Sequence, residues 1–362
     1  MKVALLHDYL NQYGGAERVL EVFCEIFPDA PIYTLFYDEA KTLGRFKGKV
    51  KKTSFLDKKF ISKNHRTFIP LMPLASSLMK IGKDYDVILS SSAGYGKGFN
   101  YGSDAKHVSY CHTPLRYAWE HEKYFNWHPI FKIAATPAFW YLRSWDYGAG
   151  QKPDSFFANS EYIAGKIKNY YNRNSEVLYP PVDSKVFYRD KKIKKKGLPG
   201  QGYFLAAGRM MHYKRFDIIV EAFNKLDLPL VIVGGGPELD RLKKMAISPK
   251  IKFVPFVSEN ELRNFYNEAE AFIFPQIEDF GLVAAEAQAC GTPVIAFSQG
   301  GAREIVEDGV TGMFFDSQTP EALAAAVKKF LTMKFDAKKI EKSAQRFSKE
   351  KFKKRILEAV NF

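Results

Sequence analysis

Residues 271–297 read AFIFPQIEDFGLVAAEAQACGTPVIAF. The run 271–275 is short and wholly apolar before its proline, as a buried strand requires. Residues 282–289 are alanine-rich and helix-forming, and 292–297 turn apolar again. Strand, loop, helix and strand in so short a span make a βαβ unit, whose two strands run parallel.

The same rhythm runs along the chain in both directions. Residues 3–7 (VALLH), 31–36 (PIYTLF), 86–92 (DVILSSS), 107–112 (HVSYCH) and 154–160 (DSFFANS) read as strands. A helix follows the first of them, with Ala16, Val19, Leu20, Phe23 and Ile26 at helical spacing. Another covers 160–171, with Ser160 as N-cap. Further on, strands are expected at 203–208, 228–235, 250–257, 271–275, 292–297 and 312–315, most of them followed by helices. Between the two series lie Tyr179, Pro180, Pro181 and Val182, then Lys191, Lys192, Lys194, Lys195 and Lys196, closed by Gly197, Pro199, Gly200 and Gly202. Such a stretch reads as a linker. The expected fold is therefore α/β, with two Rossmann-like domains facing each other across a cleft. Their bounds are 1–180, a linker 181–200, 201–345, and a terminal helix 346–362 packing back on the first domain.

Composition limits what such a chain does. It has 362 residues, 46% of them hydrophobic, and a formal charge of +14. That is enough apolar material for two cores, and a field that favours anionic partners. No stretch approaches the ~20 apolar residues of a membrane span, and residues 1–8 are too short an apolar run for a signal peptide. The expected location is cytoplasmic, with room for peripheral attachment to the inner face of the cytoplasmic membrane. Cys24, Cys111 and Cys290 are odd in number and sit on hydrophobic stretches, so they read as buried thiols. Cys111 beside His112 is not a zinc spacing.

In parallel α/β sheets ligands bind at the carboxyl ends of the strands, so the loops that follow them carry the chemistry. After 203–208 come Gly208 and Arg209, then Lys214 and Arg215, where glycine permits close approach and the cations can clamp a diphosphate. After 228–235 come Gly234, Gly235, Gly236 and Pro237, by themselves a weak signal. The third loop holds Glu278, with Phe280, Gly281 and Leu282 opening a helix whose free amides can bind sugar hydroxyls or phosphate. Glu286 lies two turns on among Ala284, Ala285, Ala287 and Ala289, a setting that implies a buried acid with partners. Gly300 and Gly301 open a fourth turn, read as structural and shaping the site.

Residues 208–304 resemble the donor domain of the retaining glycosyltransferases of family four, which have the GT-B fold. The signature glutamates Glu278 and Glu286, the set Gly208, Arg209 and Lys214, and the turn Gly235, Gly236 and Pro237 carry the resemblance. HDYLNQYGGAERVLE (7–21), YCHTPLRYAWE (110–120) and YPPVD (179–183) are similar to that family's mannosyltransferase branch. The resemblance implies that Arg209 and Lys214 bind the donor diphosphate. Glu278 would hold the transferred sugar beside the Phe280, Gly281 and Leu282 amides, and Glu286 the ribose. Val254, Pro255 and Phe256 would border the base. Gly14 and Gly15 would approach the phosphates from the other domain, and His112 would support the transition state electrostatically.

The implied reaction transfers a hexose, mannose from GDP-mannose first, to a saccharide acceptor carried on a lipid. The nucleotide sugar is a substrate, and neither cofactor nor metal is expected. Asp84 and Asp86 mimic an Asp-x-Asp metal motif, but they precede a buried strand, at the wrong end for a cleft. A donor of the UDP-glucose or UDP-N-acetylglucosamine type is the nearest alternative. A nucleotide-sugar 2-epimerase would need no acceptor, and the combination of Gly208–Lys214 with Glu278–Glu286 argues against it.

Two surface features remain. Trp119, Trp127, Trp140 and Trp145 fall in one segment with Tyr117, Tyr124, Phe125, Phe131, Phe139, Tyr141 and Tyr147, which suits core packing or a sugar-stacking acceptor pocket equally. Residues 41–66 hold Lys41, Arg45, Lys47, Lys49, Lys51, Lys52, Lys58, Lys59, Lys63 and Arg66 against the single acid Asp57, with Phe46, Phe55, Phe60 and Ile61 interleaved. At ~1 kcal/mol per cation this patch suits an anionic membrane surface. No recognition motif accompanies it, so nucleic acid is not expected.

Overall fold

The computed structural model describes residues 1–102, 104–124, 129–193 and 202–361. These fall into two compact units, Met1–Tyr179 with Phe352–Phe362, and Pro180–Lys351.

The first unit is built on a seven-stranded parallel sheet. Its strands are β1 (Val3–His7), β2 (Ile32–Thr34), β3 (Val50–Lys52), β4 (Val87–Ser92), β5 (Lys106–Cys111), β6 (Ser155–Ala158) and β7 (Glu176–Val177), in the order β3-β2-β1-β4-β5-β6-β7. Strand β1 pairs Leu5 with Ile32 on one side and with Leu89 on the other. All five of its residues are buried, because helices cover both faces of a parallel sheet. The predicted helix Gly15–Ile26 packs Val19, Leu20 and Phe23 on that core, and the helix Lys349–Val360 adds Phe352, Ile356 and Val360 to it. Strands β3 and β7 were not expected from the sequence. They are the short, charged edges of the sheet, where the apolar pattern that marks a central strand is absent.

The second unit has a six-stranded parallel sheet. Its strands are β8 (Phe204–Ala207), β9 (Leu230–Val233), β10 (Ile251–Val254), β11 (Phe272–Phe274), β12 (Val294–Phe297) and β13 (Gly312–Phe315), in the order β10-β9-β8-β11-β12-β13. The fold class is thus the expected pair of Rossmann-like α/β domains. Residues 181–193, read as the first part of a linker, pack against the second unit. Phe187 is buried with its ring against Tyr266, and Arg189 Nε donates to Glu341 Oε2 at 3.0 Å. Their aromatic and charged side chains find partners that a composition-based reading does not reveal. Lys194, Lys195, Lys196, Gly197, Pro199 and Gly200 lie outside the described residues, as do the side chains of Tyr124, Phe125, Trp127 and Phe131.

The three cysteines are buried thiols, as expected. Burial pushes the Cys24 thiol up to about 12. His107, fully buried on β5, lies between Ser90 Oγ at 2.9 Å and Tyr101 OH at 2.8 Å. Desolvation, helped by Lys152 and Lys97, pushes its imidazole down to about 3. Below pH 6.5 the unfolded chain takes up a proton that the folded chain refuses, so this group's contribution is intact above 6.5 and is lost as pH falls towards 3. The expected loss is about 1.4 kcal/mol per pH unit within that window. Urea midpoints at pH 6 and pH 4 should therefore differ less in His107→Gln than in wild type, and equal differences would remove the assignment.

Candidate active site

In the strand order of the second unit, the direction of winding reverses between β8 and β11, and a ligand crevice opens at the carboxyl ends of such a pair. The loops that follow these two strands carry Lys214 and Glu278. Their side chains meet there, Lys214 Nζ lying 2.7 Å from Glu278 Oε1, with 15% and 21% of each side chain exposed. Arg209, in the same loop as Lys214, is exposed and pairs with no carboxylate among the described residues. Arg215 differs from its two neighbours. It sits in the left-handed region at φ 54° as the N-cap of the helix Phe216–Leu226, and its charge is taken by Asp217 at 3.2 Å.

Glycines let these loops close on one another. Gly234 has φ +130°, and a Cβ there would lie 2.2 Å from Gly208 O. Gly236, at φ +151°, approaches Met210 O as closely as 2.5 Å by the same measure. Both positions press the β9 loop onto the β8 loop, a close approach that only glycine tolerates. The Phe256 ring, 70% exposed after β10, reaches over Gly235. The turn at Gly300 and Gly301 does what was expected of it. Gly301 N donates to Glu278 O at 2.9 Å, and a Cβ on Gly301 would lie 2.3 Å from Phe280 O. It holds the backbone of Glu278–Phe280 in place.

Gly281 begins the helix Leu282–Ala289 with φ +106° and packs against the Phe274 ring. Glu286 on that helix is 1% exposed, and Tyr266 OH donates to its Oε2 at 3.4 Å. The expectation of a buried acid with a partner is met. The helices Glu259–Glu268 and Leu282–Ala289, which carry these two residues, pack against each other. A separate cavity of about 230 Å³, lined by Tyr203, Leu230, Lys250 and Lys252 among others, opens at the strand starts, away from these loops.

In the first unit the reversal lies between β1 and β4. Asp8, which follows β1 and is 5% exposed, accepts from Ser92 Oγ, Ala93 N and Gly96 N at 3.0, 2.6 and 2.5 Å. It ties the two loops together at the switch point. Gly14 caps the helix Gly15–Ile26, its amide donating to Glu17 Oε2 at 2.8 Å. His112 follows β5 and is 9% exposed, with Ser91 Oγ 2.8 Å from its Nε2 and its carbonyl held by Asn159 Nδ2 at 2.9 Å.

The residues after His112 are anchored from below. Lys97 and Asp146 form a fully buried ion pair, Nζ to Oδ1 2.6 Å. The other oxygen of Asp146 accepts from Leu115 N at 3.2 Å, Trp119 Nε1 at 2.7 Å and Tyr171 OH at 2.8 Å. Asp8, Lys97 and Asp146 were not picked out from the sequence. A lysine between glycines and an aspartate in an aromatic helix carry no periodic signal, and both read as solvated charges. Asp86, by contrast, stands where the sequence put it, before β4, accepting from Lys2 N at 2.7 Å.

The basic stretch divides in two. Arg45 pairs with Glu21 at 3.1 Å, Lys47 with Glu39 at 3.0 Å and Lys41 with Asp38 at 3.5 Å, while Lys49, Lys51 and Lys52 donate to Pro28 O, Tyr85 OH and Lys80 O. Phe46, expected on the patch, is buried core. Past it the surface changes character. Lys58, Lys59 and Arg66 are exposed beside Phe55 at 51% and Phe60 at 69%. Leu71, Leu74 and Leu78 are exposed too, and the neighbouring helix Pro129–Ala149 exposes Trp140, Tyr141 and Tyr147.

Known proteins bear on this arrangement. Residues 188–353 match the family described as glycosyl transferases group 1, so the second unit carries a domain of that group. A D-inositol 3-phosphate glycosyltransferase of Mycolicibacterium smegmatis is 36% identical over 181 residues, 45% of this chain and 42% of that protein. One from Xylanimonas cellulosilytica is 37% identical over 161 residues, 41% of this chain and 39% of that protein. The chain thus spans less than half the length of the curated relatives it matches. Among solved structures, Anabaena Alr3699/HepE in complex with UDP superposes with a TM-score of 0.73 at 18% identity, covering 99% of both chains. Sucrose-phosphate synthase from Thermosynechococcus elongatus gives 0.69 at 16%, over 99% of this chain and 98% of that one. At these identities the likeness concerns the fold, which is GT-B.

Proposed function

We propose that this chain, whose second unit carries a group 1 glycosyl transferase domain, is a retaining glycosyltransferase that moves a hexose from a nucleotide diphosphate sugar to a saccharide acceptor. The observation that carries the proposal is the Lys214–Glu278 pair at the switch point, with exposed Arg209 beside it. Two cations at the ends of strands suit a diphosphate, and an acid held among glycine turns suits sugar hydroxyls. In this reading Arg209 and Lys214 receive the leaving diphosphate, with Gly208, Gly235 and Gly236 allowing its approach. Glu278 and the Phe280, Gly281 and Leu282 amides hold the sugar. Glu286 binds the ribose, and Val254, Pro255 and Phe256 border the base.

The reaction breaks the bond from the anomeric carbon to the diphosphate oxygen and forms one to the acceptor hydroxyl on the same face. The acceptor's proton goes to the leaving phosphate, and His112 supports the charge that develops at the sugar. Gly14 and Gly15 complete the phosphate contacts. The two cations supply the charge neutralisation that a metal supplies elsewhere, so turnover should persist in EDTA.

The sequence motifs point to GDP-mannose, and the UDP complexes of the fold neighbours favour a second donor class, the UDP-hexoses. A ligand that binds only the folded state raises the melting temperature, and at equal concentration the tighter binder raises it more. GDP-mannose, UDP-glucose and UDP-N-acetylglucosamine screened at equal concentration should yield one clear stabiliser. Stabilisation by none of the three would sink the nucleotide-sugar reading, and a product of inverted anomeric configuration by NMR would exclude retention.

The acceptor in this proposal is lipid-linked, and the surface from Phe55 to Leu78 holds the enzyme at the anionic membrane that carries it. Exposed aromatic and leucine side chains next to Lys58, Lys59 and Arg66 suit an interface with anionic headgroups. Reversing two charges in Lys58→Glu/Lys59→Glu should weaken co-sedimentation with phosphatidylserine vesicles by about tenfold or more. Unchanged binding would move the attachment elsewhere.

A further inference from the structure

Four side chains form a buried row in the first unit that no role so far uses in full. Glu17 and His7 are each 2% exposed, Ser91 is fully buried and His112 is 9% exposed. Glu17 Oε1 lies 3.7 Å from His7 Nε2, His7 Nδ1 lies 3.2 Å from Ser91 Oγ, and Ser91 Oγ lies 2.8 Å from His112 Nε2. The row begins at the carboxylate that also caps the Gly14 amide, and it ends at the imidazole assigned to the transferred sugar.

We propose that His7 and Ser91 are positioning residues that fix the tautomer of His112, an inference that rests on the reading of His112 as a sugar-site residue. The direction of the row follows from what each group can donate. A carboxylate only accepts, so Glu17 Oε1, 3.7 Å away, favours by its charge the His7 tautomer that carries its proton on Nε2. In that tautomer the lone pair of His7 is on Nδ1, which takes the hydroxyl proton of Ser91 at 3.2 Å. A serine has one proton to give, so the Ser91 oxygen is left as acceptor, and His112 must bring the proton on its own Nε2. His112 is thereby held as the Nε2–H tautomer, with Nδ1 as the basic nitrogen of the ring. Which nitrogen of a histidine acts is set by the bond that the other one makes.

The same carboxylate that orders the row also accepts the amide of Gly14. The glycine loop assigned to the donor phosphates and the imidazole assigned to the sugar are therefore oriented from one buried anchor. Loss of the serine hydroxyl frees the imidazole to flip between tautomers without removing any group that would touch the donor. The expected signature is a fall in turnover with little change in donor KM.

The test uses the full chain labelled with ¹⁵N-histidine, with ring nitrogens read by multiple-bond ¹⁵N–¹H spectra and His112 assigned by its loss in His112→Gln. In wild type His112 should show a protonated Nε2 and an unprotonated Nδ1. In Ser91→Ala it should become a mixture of tautomers, and kcat should fall about tenfold while the donor KM stays within about twofold. In Glu17→Gln the amide can donate to His7, and the His112 spectrum should shift towards the Nδ1–H form. A wild-type His112 in the Nδ1–H form overturns the proposal, as does a Ser91→Ala protein whose tautomer or kcat is unchanged. A wild-type chain with the ordered tautomers that transfers no sugar overturns the glycosyltransferase reading instead, so the two failures are distinguishable.

Discussion

Replacing Lys214 by alanine is expected to lower turnover by about 10²–10³-fold, the loss seen when one preorganised charge-stabilising donor is removed from an active site. In the proposed reaction the departing diphosphate gains negative charge as the sugar bond breaks, and a cation already in place stabilises that charge without reorganising. Lys214 is in place because Glu278 holds it, 2.7 Å away. The cost should appear in kcat more than in stability. Both partners of the pair are partly exposed, and breaking such a pair costs about 1 kcal/mol or less. Turnover with the preferred donor, measured beside a urea midpoint, separates the two effects. Near-wild-type turnover would take Lys214 out of the leaving-group role.

The largest stability effect is expected in the first unit, at Asp146. Asp146→Ala leaves the Lys97 ammonium buried without its counter-charge and strips the acceptor from Leu115 N, Trp119 Nε1 and Tyr171 OH. Breaking a buried pair by removing one partner costs about 3–5 kcal/mol, because the remaining charge is still desolvated. Removing both charges, in Lys97→Met/Asp146→Leu, should recover much of that loss. Urea unfolding of the single and double variants measures the difference. A single variant within about 1 kcal/mol of wild type would show that water reaches the site and that the pair is not an anchor. The same variant should disturb residues 113–119, which Asp146 holds just after His112.

Much of the fold was legible before any coordinate. Eleven of the thirteen strands lie on apolar runs that the sequence marks, because a strand buried on both faces has to be apolar throughout. The two that escaped, Val50–Lys52 and Glu176–Val177, are edge strands whose charge protects an open edge and hides the pattern. The loops that follow the strands of the second unit were legible for a related reason. Glycines in forced conformations, together with cations and acids just past a strand, are local features, and a parallel sheet places them at one end without further information.

The basic stretch shows where local reading fails. Ten cations in residues 41–66 look alike in sequence, yet those up to Lys52 are spent on Glu21, Asp38, Glu39 and neighbouring backbone or phenol oxygens. The exposed aromatic side chains begin only at Phe55, and the leucines that extend them to Leu78 were not in the pattern.

For this protein, then, order along the chain already contained the two parallel sheets and the glycine, lysine and glutamate loops that follow the strands. Those depend on residues near one another in sequence. Tertiary structure alone supplied the Lys214–Glu278 contact, Tyr266 as the partner of buried Glu286, the Asp8 tie, the Lys97–Asp146 anchor and the row from Glu17 to His112. Each joins residues from different strands or helices, and their partners are chosen by the packing of the sheet rather than by any spacing in the chain.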